Sequence, residues 1–483
     1  MQQQDREFNA RAARLPAHGI GLSVDVYSPD LVELYAALEC GGLTPEYLEI
    51  FKAPSAELAR IRQALPRPAM AYHAEGVWLI DPEMQTRYPW HEQTRRMARH
   101  AQILSAGWVN HECASKQFAG YSFGTYLPPL FTIAAAEATA ANAVVCQQVL
   151  QQCTGSPESD GAPLLLLELP PLTYVAFGDL SPARFFAYIA ESAPCGFVLD
   201  IGHLWTVWRY REHNRFDSIE SFTDAFLDEF PLHRVIQIHV AGLGSDDMGW
   251  HGSRSSWIDA HSAPVPSVLW ELLGRVLAHS GLSSLKGVAL EVDTKAIPLI
   301  VEEFGRLQKD FKLPGHGGGT PPEPAIRAPR ATAAAPREQV CALYGTYARV
   351  LTGQESVQES LLDPLSAQLD REGLAQYIEE YLPNELLHWG GDIEELFPKI
   401  CLVLKERGIS PADFVEFWFR GTCVAQEAYD FFYIKLDRWI EFIRERAPDL
   451  CEEAARQAHT LRGFHEALND EPAETGAHPS AFD

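Results

Sequence analysis

From residue 19 to about residue 310, short hydrophobic runs alternate with longer stretches of helical period. The runs are GIGLSVDV, YLEIF, PAMAYHAEG, WVNHECA, LLLLELP, GFVLDIGHL, VIQIHVAGL and GVALEVDT. They are short and dominated by Val, Ile, Leu and aromatic residues, as strands buried on both faces are. Between them lie helix-like segments such as HEQTRRMARHAQIL, SPARFFAYIAES and VPSVLWELLGRVLAHS. Eight strand signals, each followed by a helix signal, predict an α/β fold: a (β/α)8 TIM-type barrel over residues 18–312. The polar residues 1–17 read as an N-terminal tail.

The pattern changes after the barrel. Residues 313–336 are rich in Gly, Pro and Ala without apolar period, which predicts a linker. Residues 337–468 show helical period and little strand signal, which predicts a separate all-α domain. Its aromatic segment FVEFWFRG reads as core. Residues 469–483 read as a disordered tail.

Candidate chemistry lies where the hydrophobic runs end. His73, His111, Glu168, Asp200, His203, His239 and Glu291 close strand-like stretches or follow them by a few residues, and Asp259 and His261 lie in the loop-like WIDAHSAPV. Barrel active sites form at the C-terminal ends of the strands, so nine such residues predict one convergent site. A single ion usually takes about three or four protein ligands, so five imidazoles and four carboxylates predict a cluster of two or three ions. Mixed nitrogen and oxygen ligation without thiolate suits iron, zinc or manganese. His239, Asp259, His261 and Glu291 are the candidate catalytic ligands. Asp293, His251 and Glu49 are candidates for supporting or substrate contacts. Strand alternation is expected to turn Glu112 away from the His111 side, and Glu75 and Glu112 read as structural.

Composition narrows the classes. The net charge of −26 disfavours a nucleic-acid partner, which calls for a basic face. Nine scattered cysteines without a CxxC pair read as reduced thiols, hence a cytoplasmic protein. No run reaches the roughly 20 apolar residues of a membrane span.

The ligand string His73, His111, Glu168, Asp200, His203, His239, Asp259, His261 and Glu291 is similar to the trinuclear site of the xylose isomerase and endonuclease IV-like barrels. The segments IHVAGL, IDAHSAPVPSVLW and LEVD, with AYHAEG, VNHE and YLPPL earlier, resemble the multinuclear non-heme iron-dependent oxidative enzymes, the methanobactin-synthase-like family. The chain departs from that pattern at Leu169, where the family often has Asn, and at Gly202-His203, where it often has an Asn pair. The resemblance implies two or three Fe ions in mixed Fe(II)/Fe(III) states and O2 as co-substrate, with Zn or Mn as alternatives. It further implies a ribosomally made precursor peptide as substrate, modified at Cys, Asn or Asp. Many members of the family work with a separate peptide-recognition protein. The helical domain is expected to take that role in cis or to serve a homodimer. The rival readings are a zinc-dependent phosphodiester hydrolase of endonuclease IV type, a divalent-metal sugar isomerase, and a metal-dependent scaffold.

Overall fold

The computed structural model describes residues 3–87, 89–153, 161–245, 257–313, 337–424 and 430–469. In chain order its strands are β1 (Gly19–Val24), β2 (Tyr47–Phe51), β3 (Ala69–His73), β4 (Trp108–Glu112), β5 (Ser115–Phe118), β6 (Tyr121–Leu127), β7 (Leu164–Glu168), β8 (Gly196–Asp200), β9 (Val235–Val240), β10 (Leu243–Ser245), β11 (Trp257–Asp259) and β12 (Gly287–Val292). Eight of them close a parallel barrel in the order β1-β2-β3-β4-β7-β8-β9-β12. These are the eight hydrophobic runs of the sequence. The other four form two antiparallel hairpins, β5–β6 and β10–β11, set into the loops after β4 and β9.

Strand alternation sorts the barrel interior into layers. Tyr47, Ala71, Trp108, Leu164, Leu166, Val198, Ile236 and Ala289 pack together as one buried cluster at the N-terminal end. Gln237 ties this layer down: Trp108 Nε1 donates to its side-chain oxygen at 2.6 Å, and its amide donates to the Tyr47 hydroxyl at 3.2 Å. The Tyr47 ring fits only because its neighbours lack side chains. A Cβ on Gly21 would fall 2.4 Å from a ring carbon, and one on Gly287 2.7 Å from the hydroxyl.

The stretch expected as a tail is largely a helix, Gln3–Ala12, whose Phe8 and Ala12 complete the bottom cluster. Buried Arg234 clamps it: Nη2 donates to Asp5 Oδ1 at 2.8 Å, and the guanidinium lies 4.6 Å from the centre of the Phe8 ring. Only two of the helix's residues are buried, which is why its polar sequence hid it.

The regular elements described in the C-terminal region are all helices, but the region does not stand apart from the barrel. One continuous hydrophobic cluster runs through both. The β5–β6 hairpin is the junction. Phe118 stacks on Tyr347 at 5.0 Å and meets Tyr344 edge-on at 5.4 Å, while Phe123 lies 5.9 Å from Phe419. Trp418 Nε1 donates to the Ser122 carbonyl at 2.8 Å, and the Cys423 amide to the Gly120 carbonyl at 2.8 Å. FVEFWFRG is core, and part of that core is shared with the barrel. The expected linker, from residue 314, and the expected tail, from residue 470, lie outside the described residues. No described helix is long and apolar enough to cross a membrane.

Candidate metal centre

On several strands the inward residue changes from apolar to ionisable as the chain climbs toward the C-terminal rim. β7 runs from Leu164 and Leu166 to Glu168, β8 from Val198 to Asp200, and β12 from Ala289 to Glu291. The register places Glu112 beside Glu168 and Asp200 beside His239. The result is a ring of carboxylates and imidazoles around the barrel axis.

Among the described residues three groups of ligand-capable atoms emerge, each with all its atoms within 4.8 Å of one another. The first is His73, Glu112 and Glu168. The second is Glu168, Asp200, His239 and Glu291. The third is His203, Asp259 and His261. Glu168 belongs to two of them. One of its oxygens lies 3.0 Å from His239 Nδ1 and the other 3.3 Å from His73 Nε2. The second oxygen is also held by the Asn110 amide.

Supporting contacts fix the rings. His203 Nδ1–H donates to the Leu169 carbonyl at 2.6 Å, leaving Nε2 to face Asp259 Oδ2 at 3.2 Å. Such a bond to the far nitrogen selects the tautomer of a ligating histidine. His261 is arranged alike, with Nε2 2.8 Å from Asp259 Oδ2 and Nδ1 3.5 Å from Asp293 Oδ2. His239 Nε2 lies 2.9 Å from Glu49 Oε1, which also accepts from Ser23 Oγ at 2.9 Å. Asp200 caps the helix Ile201–Val207 by accepting from the His203 amide at 2.6 Å, which explains how two ligands three residues apart reach one centre.

The electrostatics of the cage call for cations. Among the described residues, Glu112 Oε2, Asp200 Oδ2, Asp259 Oδ1 and Glu291 Oε2 are buried without a hydrogen-bond partner. Burial pushes the Asp200 carboxyl up to about 7, only partly offset by His203, and pushes the Glu112 carboxyl far above the usual range. Burial pulls the His73 imidazole down, but Glu168 and the other carboxylates outweigh it and hold it at about 9. The imidazoles of His203, His239 and His261 are raised in the same way. Buried orphan oxygens are costly unless paired or metal-bound, so this donor set fits divalent ions.

Eight of the nine sequence candidates enter these groups; His111 does not. Trp108, Asn110 and Glu112 point inward, so the alternation carries His111 to the outer side. There its Nδ1–H donates to the Glu112 carbonyl at 2.9 Å and its Nε2 accepts from the Val77 amide at 3.1 Å. Burial keeps it neutral, with its pKa lowered to about 4. Glu112, expected to turn away, takes the inward place instead. His251 lies outside the described residues. The segment of Asp259 was expected as a loop; it is instead strand β11, paired with β10 at Leu243.

Gly202 is tightly confined. A Cβ there would lie 3.1 Å from Asp200 Oδ1 and 3.2 Å from Asp259 Oδ1. We expect Gly202→Ala to displace both carboxylates, costing about 1–3 kcal/mol in stability and about tenfold in metal affinity. Paired chemical denaturation and metal titration would check it; wild-type values in both would show that the cage yields to a methyl group without cost.

The model of the family described as RiPP precursor modification enzyme MbnB/TglH/ChrH matches residues 44–309, and the chain belongs to that family. A UPF0276 protein of Bordetella pertussis is 30% identical over 313 residues, covering 62% of this chain and 95% of that protein. A UPF0276 protein of Caulobacter vibrioides is 28% identical over 180 residues, 37% of this chain and 55% of its own. Among solved structures, endonuclease IV from Thermus thermophilus aligns over 61% of this chain and all of its own, at 18% identity and a TM-score of 0.36. D-psicose 3-epimerase from Clostridium cellulolyticum aligns over 60% of this chain and 97% of its own, at 10% identity and a TM-score of 0.34.

Proposed function

We propose that the chain is an iron-dependent, O2-using enzyme that oxidatively modifies a Cys, Asn or Asp residue of a ribosomally made precursor peptide. The observation that carries the reading is Glu168, shared by two ligand groups at the C-terminal mouth of the barrel, in a chain of this family. His73, Glu112 and Glu168 would hold one ion; Glu168, Asp200, His239 and Glu291 a second; His203, Asp259 and His261 a third. Bound iron supplies one-electron redox chemistry toward dioxygen, which protein side chains lack. The chain's own work is placement. Glu49 and Asp293 orient His239 and His261, and Glu168 would be a ligand common to two of the groups. His73, Asp259 and His261 are the partly exposed members, with side-chain exposures of 12, 13 and 19%. They form the side from which a peptide residue would approach, while Glu168, Asp200 and His239 stay shut from water. All nine cysteines are free thiols, in keeping with action in the cytoplasm.

The test is metal analysis with electron paramagnetic resonance on chain purified without oxygen and then briefly exposed to air. Two or three irons per chain and a mixed-valent signal, lost in His239→Ala, are expected. Stoichiometric zinc that iron does not replace would favour a hydrolase.

A further inference from the structure

The matched family region ends at residue 309, yet a turn of the later helical region reaches the rim of the candidate centre. The Lys116 ammonium lies 3.5 Å above the Trp389 ring and 4.4 Å from the centre of the Tyr126 ring. It also pairs with Glu75 Oε1 at 2.5 Å. Lys116 is more than nine-tenths buried, and Lys52 Nζ donates to the Glu75 carbonyl at 3.4 Å. Glu75 stands two residues beyond His73. The segment between them and Val77 is thereby bolted at two points, to Lys116 through Glu75 and to His111 through the Val77 amide. The turn bearing Trp389 is itself fixed. Fully buried Lys435 donates to the carbonyls of Leu387, Trp389 at 2.9 Å and Gly391 at 2.6 Å, closing the end of the helix Leu382–His388. Three donors meet three acceptors, so the turn is held as a rigid unit.

We propose that Trp389 and Lys116 are positioning residues for the ion held by His73, Glu112 and Glu168, so that the helical region completes the centre in cis. This rests on the metal reading of the site. The physical logic is that of a clamp acting behind the ligands. A cation seated on an aromatic face in a desolvated site is worth more than an exposed pair, and here it fixes the Glu75 carboxylate, two residues beyond the ligand His73. Lys116 also sits on β5, next to the end of β4 that presents Glu112. One side chain therefore braces the carriers of two of the three ligands. Trp389 remains 42% exposed on its other side.

The experiment is anaerobic Fe(II) titration against a competing chelator on the full chain, with thermal unfolding in parallel. It compares wild type with Lys116→Met, Lys116→Arg, Trp389→Ala and Trp389→Phe. Lys116→Met and Trp389→Ala are expected to weaken one bound Fe(II) by about 10–100-fold and leave the others unchanged. Lys116→Arg and Trp389→Phe keep the charge and the ring face, and should stay within about threefold of wild type for that ion. The proposal is overturned if Lys116→Met and Trp389→Ala bind every ion as wild type does. It is also overturned if all ions weaken together with a fall in melting temperature, since that marks general destabilisation. A wild-type chain that takes up no Fe(II) fails at the earlier step, and the metal reading falls with it.

Discussion

Replacing Glu168 by Gln is expected to remove metal from two of the three groups at once and to abolish turnover. Among the described residues no other side chain stands in two groups. The substitution keeps the size and the contact with Asn110, but removes the charge that faces both His73 and His239. A residue that only supports a ligand is worth about 10–100-fold in metal affinity, and a shared ligand should exceed that. Glu49→Gln is the natural control, because Glu49 touches His239 on the face away from Glu168 and should cost only the supporting amount. Metal content after gel filtration, with Fe(II) titration of both variants, decides the matter. A Glu168→Gln chain that retains the wild-type number of ions would end the bridging role assigned to it.

The barrel was legible because each strand is buried on both faces and so leaves an unbroken apolar run. The ionisable residue ending most of the runs was legible for the same reason: a charge closing LLLLELP or FVLDIGHL has no place in a core unless the strand end is a site. What misled was parity within a strand. WVNHE offers His111 and Glu112 side by side, and the more metal-prone residue looks like the ligand. The usable signal was Trp108. A large ring opening the run belongs to the packed barrel interior, and counting by twos from it reaches Asn110 and Glu112. Glu49, read as a supporting contact, follows Tyr47 on one face of β2, below the rim, where it touches His239.

Other features left no local trace. The hairpins interrupt loops, and their strands are short and polar enough to pass as coil. The Gln3–Ala12 helix buries too few side chains to show a period. The union of barrel and helical region is non-local: Phe118 and Tyr347, or Lys116 and Trp389, are neighbours only after folding. A Gly- and Pro-rich segment between two regions suggests independence in sequence, yet it says nothing about whether the two faces meet.

That union sets the second large effect. A chain ending at residue 312, where the sequence alone would place a domain boundary, is expected to be insoluble or to unfold far below the full chain. Phe118 and Phe123 are fully buried, and both rest against aromatic rings of the helical region. Exposing a buried Phe costs about 1.5–3 kcal/mol, so these two alone approach about 3–6 kcal/mol against a total stability of about 5–15 kcal/mol. The hairpin carbonyls of Gly120 and Ser122 would also lose the amide of Cys423 and the indole of Trp418. Soluble yield and thermal unfolding of residues 1–312 beside the full chain are the measurement. A soluble, monomeric truncation melting within about 3 °C of the full chain would show the interface to be worth no more than about 1 kcal/mol, and the helical region to be a true appendage. The expected loss would mean that in this chain the β5–β6 hairpin at the rim of the barrel holds its fold only together with its helical cover.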